Sequence, residues 1–334
     1  MKGLTDIEGI SVGHATDREG VTGCTAILFA GGAVAGVDVR GGAVGEREFE
    51  TLRVGHVVER IHGLVLAGGS AFGLEAAAGV MRYLEEQGIG FEVGVARVPI
   101  VPAAILFDLA IGEAQRRPDA AMGYAAAKTA IADRVEEGSV GAGTGATVGK
   151  LFGLKQATKG GLGTNTIELA GGARVSALAV VNAFGDVRDP ATGQIIAGAR
   201  RAPDSTEFAD TAAQMKAGVV KPGFGVPAPP SAWPARVPST TLAVVATNAR
   251  LDRPQTTKLA AMAQNGVARV ISPVHTLFDG DVVFGVSLGT KSGDLNMLGS
   301  VAAEAVAAAI VRAVREATSL GGVPALCNLS GSAR

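Results

Sequence analysis

Glycine sets the first limit on what this chain can become: 48 of its 334 residues are glycine, about double the roughly 7% of an average protein. These glycines follow no every-third-residue period and are not mixed into Ser/Gln-rich tracts, which argues against collagen and against low-complexity disorder. They punctuate a folded chain instead, marking tight turns and places where backbones approach closely. With 47% hydrophobic residues and a net charge of -1, the chain can bury one large core or two modest ones.

Short β-branched runs recur, each bounded by Gly or Asp as buried strands are: "CTAILFAGG" near 24, "GLVLAGG" near 63, "SALAVVNAFG" near 176, "TTLAVVATNA" near 240, "ARVISPV" near 268 and "DVVFGVSLG" near 281. Between them lie Ala-rich stretches with helical periodicity, "GLEAAAGVMRYLEEQG", "PDAAMGYAAAKTAIADRVEEG", "RPQTTKLAAMAQNGVARV" and "SVAAEAVAAAIVRAVREAT". The pattern predicts a mixed α/β chain with helices packed over sheets. From about Arg200 to Pro238 the periodicity is lost and proline accumulates, ending "KPGFGVPAPPSAWPARVPS". This stretch, 200–239, reads as a loop or linker, either a domain boundary or an exposed approach to a point of backbone cleavage.

The composition and spacing argue against several function classes. Near-neutral charge and 4% aromatics leave no basic stripe or stacking platform for nucleic acid. Cys24 and Cys327 lack a partnered spacing, so both are expected to be core thiols rather than a disulfide or zinc ligands. His14, His56, His62 and His275 show no metal-ligand spacing. No charged-then-apolar leader and no membrane-length apolar run stand out, which makes a cytoplasmic protein without membrane contact the expectation. "GAGTGATVGK" fails as a phosphate loop, because Thr144 and Leu151 occupy positions that need Gly and Ser/Thr. "GGSAFG" (68–73) fails as a nucleophile elbow, since Phe72 replaces its last glycine. As a strand-to-helix turn, its Gly69 and Ser70 could still offer N–H groups to a carboxylate or oxyanion.

One strand start carries more chemistry than packing requires. "TTLAVVATNA" opens on Thr240 and Thr241 behind the Pro-rich stretch. Thr240 can be an ordinary strand residue; alternatively, a cut before it makes a new N-terminus whose α-amine serves as base for its own hydroxyl. An α-amine has a pKa of about 7.7–8.0 and needs no histidine for that task. Asn182 interrupts "ALAVVNAFGDV", either as a turn former or as an amide donor to an oxyanion. Lys150 ends the Gly-rich run, where its charge would lower the amine's pKa. Asp279 and Asp281 straddle Gly280: a plain turn, or in extended backbone two carboxylates facing one way.

In order and in combination, "LTDIEGISVGHATD", "TGCTAILF", "VDVRGGAVG", "LAGGSAFGLEAAAGV", "GAGTGATVGK", "VVNAFGDV", "TTLAVVATNA" and "HTLFDGDVVF" resemble the DmpA family of self-processing aminopeptidases, β-peptidyl aminopeptidases and endo-type 6-aminohexanoate-oligomer hydrolases. The resemblance implies an αββα sandwich of the type shared with ornithine acetyltransferase, N-terminal-nucleophile-like, formed by 1–334 as one domain. It implies autocleavage between Ser239 and Thr240 into 1–239 and 240–334, and a homo-oligomer, a tetramer of processed protomers. Thr240 is then the nucleophile, Asn182 the oxyanion amide, and Lys150, Asp279 and Asp281 the residues of the oligomer-hydrolase branch. Phe107, in "ILFDL", stands in the substrate pocket where relatives carry tyrosine, with Gly69 and Ser70 nearby, and Ser239 stands where Asn or Gly commonly precedes the nucleophile. The implied substrate is a small peptide or amide, and none of these roles calls for a metal or organic cofactor. Acetyl transfer to an amino acid by the same nucleophile, and an uncleaved ligand-binding protein, are the rival readings.

Overall fold

The computed structural model describes residues 2–220 and 238–329. Its framework follows from alternation along the strands. In Arg174–Asn182, Val175, Ala177, Ala179 and Val181 face one apolar cluster, while Leu178 and Val180 face another. Thr240–Ala249 divides the same way, with Ala243 and Val245 on one side and Leu242, Val244 and Ala246 on the other. Ile61–Ala67 also sends Leu64 and Leu66 to the shared inner cluster, but Val65 and Ala67 to a third.

Those three clusters are the three interlayer spaces of an αββα sandwich. Helices Arg253–Val270 and Leu295–Arg315 cover one outer face, helices Ala76–Glu86 and Ala120–Lys128 the other, and the inner cluster lies between the two sheet halves. The 20-residue strand Thr22–Gly41 belongs to both halves. Its first part, from Cys24, pairs with Ile61–Ala67; its last part, Val34 to Gly41, pairs with Gly280–Lys291. The register shifts between Leu28 and Ala33, where Gly32 adopts φ 70°, and there the sheet turns back on itself.

Strand order carries the site. Thr240–Ala249 lies between Arg174–Asn182, antiparallel, and Gly280–Lys291, parallel. Strands from before and after the Pro-rich stretch therefore share one sheet, so that stretch does not separate two sheets. Part of the expected 200–239 loop is helical instead. Thr211–Lys216 forms a helix capped by the Asp210 side chain, which accepts from Ala213 N, and buried Asp186 accepts from Thr211 N and Oγ1. Residues 221–237 lie outside the described residues.

Other expectations are corrected as well. The strand read near 268 is mostly helix: Arg253–Val270 continues through it, held at its start by a capping box between Asp252 and Gln255, and leaves only Ile271–Ser272 as strand. Cys24 is buried, but Cys327 is exposed on the short helix Leu326–Leu329. A membrane-length apolar run does exist, in the 21-residue helix Leu295–Arg315 with mean hydropathy 1.7. Its apolar side is spent inside the fold, since 67% of its most apolar window is buried against the sheet and the neighbouring helix.

Glycine's abundance is explained by close layers. Gly163, on the strand Leu162–Glu168, faces the helix Leu295–Arg315, and a Cβ there would collide with the Ala309 carbonyl and Ala313 N. Helices Ala76–Glu86 and Ala120–Lys128 likewise cross where Gly79 meets the Ala120 carbonyl and Gly123 meets the Ala76 carbonyl. Gly163→Val should therefore destabilise by about 1–3 kcal/mol through overpacking. Gly31→Ala, where an added Cβ meets nothing within 4 Å, should stay within about 0.5 kcal/mol of the parent. Urea unfolding midpoints measure both, and equal midpoints would show that the sheet–helix spacing is not set by this glycine.

Candidate active site

Thr240 sits at the first residue of its strand and is 2% exposed. Its Oγ1 donates to the Ser239 carbonyl oxygen at 2.5 Å, and that oxygen also accepts the Gly280 N–H at 2.9 Å. Ser239 N in turn donates to the Phe278 carbonyl at 2.8 Å. Ser239 is thus held through both its N–H and its carbonyl by the segment 278–280, and the Thr240 hydroxyl donates to that same carbonyl oxygen.

Antiparallel register places Asn182 directly opposite Thr240. Asn182 is fully buried, and its amide orientation is fixed by its partners. Oδ1 accepts from Thr147 N at 3.0 Å and from Lys150 Nζ at 2.7 Å, whereas Nδ2 donates to the Phe107 carbonyl at 3.0 Å. One Nδ2 hydrogen is used in that bond; the amide carries two. Lys150, also fully buried, donates to the Asn182 backbone carbonyl at 2.8 Å and lies 3.5 Å from the Pro238 carbonyl oxygen. The lysine therefore touches the amide and the backbone before the Ser239–Thr240 link.

Both predicted carboxylates arrive on the other flank. Asp279 pairs with Ser239 through an isolated bridge, and Asp281 lies just inside the strand Gly280–Lys291. Asp281 Oδ1 accepts the Thr241 N–H at 2.6 Å. Asp279 Oδ1 accepts Phe184 N at 3.0 Å, and its Oδ2 accepts Thr276 N at 3.0 Å and Thr276 Oγ1 at 2.6 Å. Burial, and then the neighbouring Asp281, push the Asp279 carboxyl up to about 6.

Phe107, Gly69 and Ser70 join through one short segment. The Phe107 carbonyl holds Asn182, Asp108 Oδ1 accepts Gly69 N at 2.7 Å, and the Leu106 carbonyl accepts Ser70 N at 3.0 Å. The N–H groups offered by that turn are thus already committed within the protein. Ser70 keeps a left-handed backbone, φ 55°. Asp108 faces the fully buried Lys159, which braces the Gly-rich loop by donating to the Thr144 and Ala146 carbonyls. Burial pushes the Asp108 carboxyl up to about 6 and the Lys159 ammonium down to about 7.

Sequence reasoning missed Thr147, Thr276, His275 and the Gly280 N–H. Only His275 carries a legible signal, six residues before Asp281 in "HTLFDGD", and neither a metal-ligand spacing nor a Ser-His-Asp triad singles it out in sequence. A cleft of about 910 Å³, lined by His56, Arg60, Arg250 and Arg253 among others, lies at the other end of these strands. Over the ten residues of Thr240–Ala249, at about 3.3 Å each, that is roughly 30 Å from Thr240.

The model of peptidase family S58 matches residues 2–326. The chain belongs to peptidase family S58. It is 36% identical over 364 residues to an uncharacterized aminopeptidase of Mycobacterium leprae, covering 98% of this chain and 94% of that one. It is 30% identical over 330 residues to a 6-aminohexanoate-oligomer endohydrolase of Kocuria, covering 93% of this chain and 85% of the other. The solved L-aminopeptidase D-Ala-esterase/amidase of Ochrobactrum anthropi, described as a variant of the Ntn-hydrolase fold, superposes with TM-score 0.70 at 20% identity, over 97% of this chain and 88% of that one. The αββα fold of the S58 chain is thus of the N-terminal-nucleophile type.

The raised Asp279 carboxyl has a consequence for stability. A group whose folded pKa lies above its ordinary value of 3.8 contributes stability that is fully present below about pH 4 and lost as pH rises through about 6. Asp279→Asn removes this titration. Relative to the parent, the variant should gain stability as pH rises from 4 to 7, read as the difference between urea midpoints at each pH. A difference independent of pH would show that Asp279 does not carry the raised pKa.

Proposed function

We propose that this S58 protein is a self-processing amide hydrolase that works through an acyl-Thr240 intermediate. The observation that carries the reading is the Thr240 hydroxyl held 2.5 Å from the Ser239 carbonyl oxygen, directly across the sheet from Asn182. In the processing step, Thr240 Oγ bonds to the Ser239 carbonyl carbon, the C–N bond breaks, and the released nitrogen takes up the proton. Water then hydrolyses the resulting ester, leaving a Ser239 carboxylate and a Thr240 α-amine.

In turnover the amine takes the Oγ proton as Oγ attacks the substrate carbonyl. The second Asn182 Nδ2 hydrogen serves the oxyanion, and the ammonium returns its proton to the leaving amine. Water attacks the acyl ester and frees Thr240. Asp279 and Asp281 aim the amine, while Lys150 holds Asn182 and opposes the two carboxylates electrostatically. The substrate class is a small peptide or amide, in keeping with relatives named aminopeptidase and 6-aminohexanoate-oligomer endohydrolase.

A mass spectrum of the purified protein should show fragments 1–239 and 240–334, the second beginning Thr-Thr-Leu-Ala. Thr240→Ala should remain one uncut, inactive chain. Active parental protein that is still one intact chain would falsify the reading. Asn182→Ala, once processed, should lose about 10²- to 10³-fold in kcat with a smaller change in KM; a kcat within a few-fold of the parent would take Asn182 out of the oxyanion role.

A further inference from the structure

The chemistry above gives no task to the one imidazole in the site. His275 Nδ1 lies 2.7 Å from Asp281 Oδ2, while Asp281 Oδ1 accepts the Thr241 N–H at 2.6 Å. The carboxylate is 1% exposed and held from two directions, so it cannot rotate without losing one of them. Because the partner of Nδ1 is an acceptor, Nδ1 carries the proton and donates.

This arrangement is held at a cost. His275 has φ 54°, a left-handed backbone uncommon outside glycine. Its side chain is 17% exposed, and its Nε2 is buried with no hydrogen-bond partner among the described residues. A loop in need only of a tether would be served by a short hydroxyl, as the next residue illustrates: Thr276 holds Asp279 through its N–H and Oγ1 with neither burden. Backbone strain and an orphan nitrogen in direct contact with a site carboxylate point to a role in that site.

On the reading that Thr240 is the nucleophile, we infer that His275 is a positioning residue. By donating to Asp281 Oδ2 it locks the carboxylate that holds the Thr241 N–H, and so fixes where the Thr240 hydroxyl and, after cleavage, its amine stand relative to the acyl carbon. The logic is that of a base oriented by a third group, with the order of partners rearranged. Misplacement of reacting groups by about 1 Å costs roughly 10²-fold in rate.

The test compares His275→Leu, which fills the space without a donor, with His275→Asn, whose Nδ2 can still donate to Asp281. Fully processed protein of each is assayed for kcat and KM on a small amide, with Thr240→Ala alongside. His275→Leu should lose about 10²-fold in kcat with KM within about twofold, and His275→Asn should recover at least about tenfold of that loss. Parental kcat in His275→Leu, or equal impairment in the two variants, overturns the inference while leaving the Thr240 reading standing. If His275→Leu does not fold, His275→Asn decides alone: kcat within about tenfold of the parent supports the donor role, and a larger loss overturns it. Turnover by Thr240→Ala would bring down the nucleophile reading and this inference with it.

Discussion

Everything in the site depends on one register. Thr240–Ala249 is locked between an antiparallel and a parallel neighbour, and side chains along a strand alternate with period two. A slip of one residue would send Leu242, Val244 and Ala246 out of the inner core and exchange them with Ala243 and Val245. The burial of those side chains therefore also fixes Asn182 opposite Thr240, with Gly280 and its flanking carboxylates on the other side. Hydrophobic burial is non-directional, but expressed through a three-strand register it positions a hydroxyl beside a carbonyl.

That precision is then held by polar groups that would be expensive if left alone. Lys150, Asn182, Asp279 and Asp281 are all nearly or fully buried, and each has named partners. Removing one member of such a set leaves its partners desolvated, typically at about 1–3 kcal/mol each. Lys150 in particular reaches Asn182 through both the side chain and the backbone carbonyl. Its replacement would release the amide along with the charge, so Lys150 and Asn182 are energetically one unit rather than two independent contributors.

What the sequence made legible was whatever apolar periodicity could carry. Arg174–Asn182, Thr240–Ala249 and Gly280–Lys291 read clearly because their buried faces are Val, Ala, Leu and Phe. The edge strand Leu162–Glu168 did not, because its inward positions include Thr164 and Thr166, buried through hydroxyl bonds to the Ala177 carbonyl and Ser176. Nor did helix Thr211–Lys216, whose anchoring to Asp186 is a long-range polar contact without a periodic trace. Residue types likewise marked Thr240, Asn182, Lys150, Asp279 and Asp281. Their relative placement rests on strand pairing across long stretches of chain, and the task of His275 becomes visible only once its loop is laid beside Asp281.

The presence of both charge signs around one amine follows from magnitude. At 4 Å and an effective dielectric near 20, a unit charge pair is worth about 4 kcal/mol, roughly three pKa units. A single uncompensated carboxylate beside the α-amine formed by the proposed cleavage would raise it from near 8 to about 11, leaving it protonated and useless as a base at neutral pH. Two carboxylates are nevertheless needed near the amine, because only acceptors can aim it. A buried lysine on the opposite flank restores the balance. Lys150 is bound to Asn182, directly across the sheet from Thr240, through both the Asn182 side-chain and backbone oxygens, so on the proposed mechanism it would act on the amine through space while holding the amide.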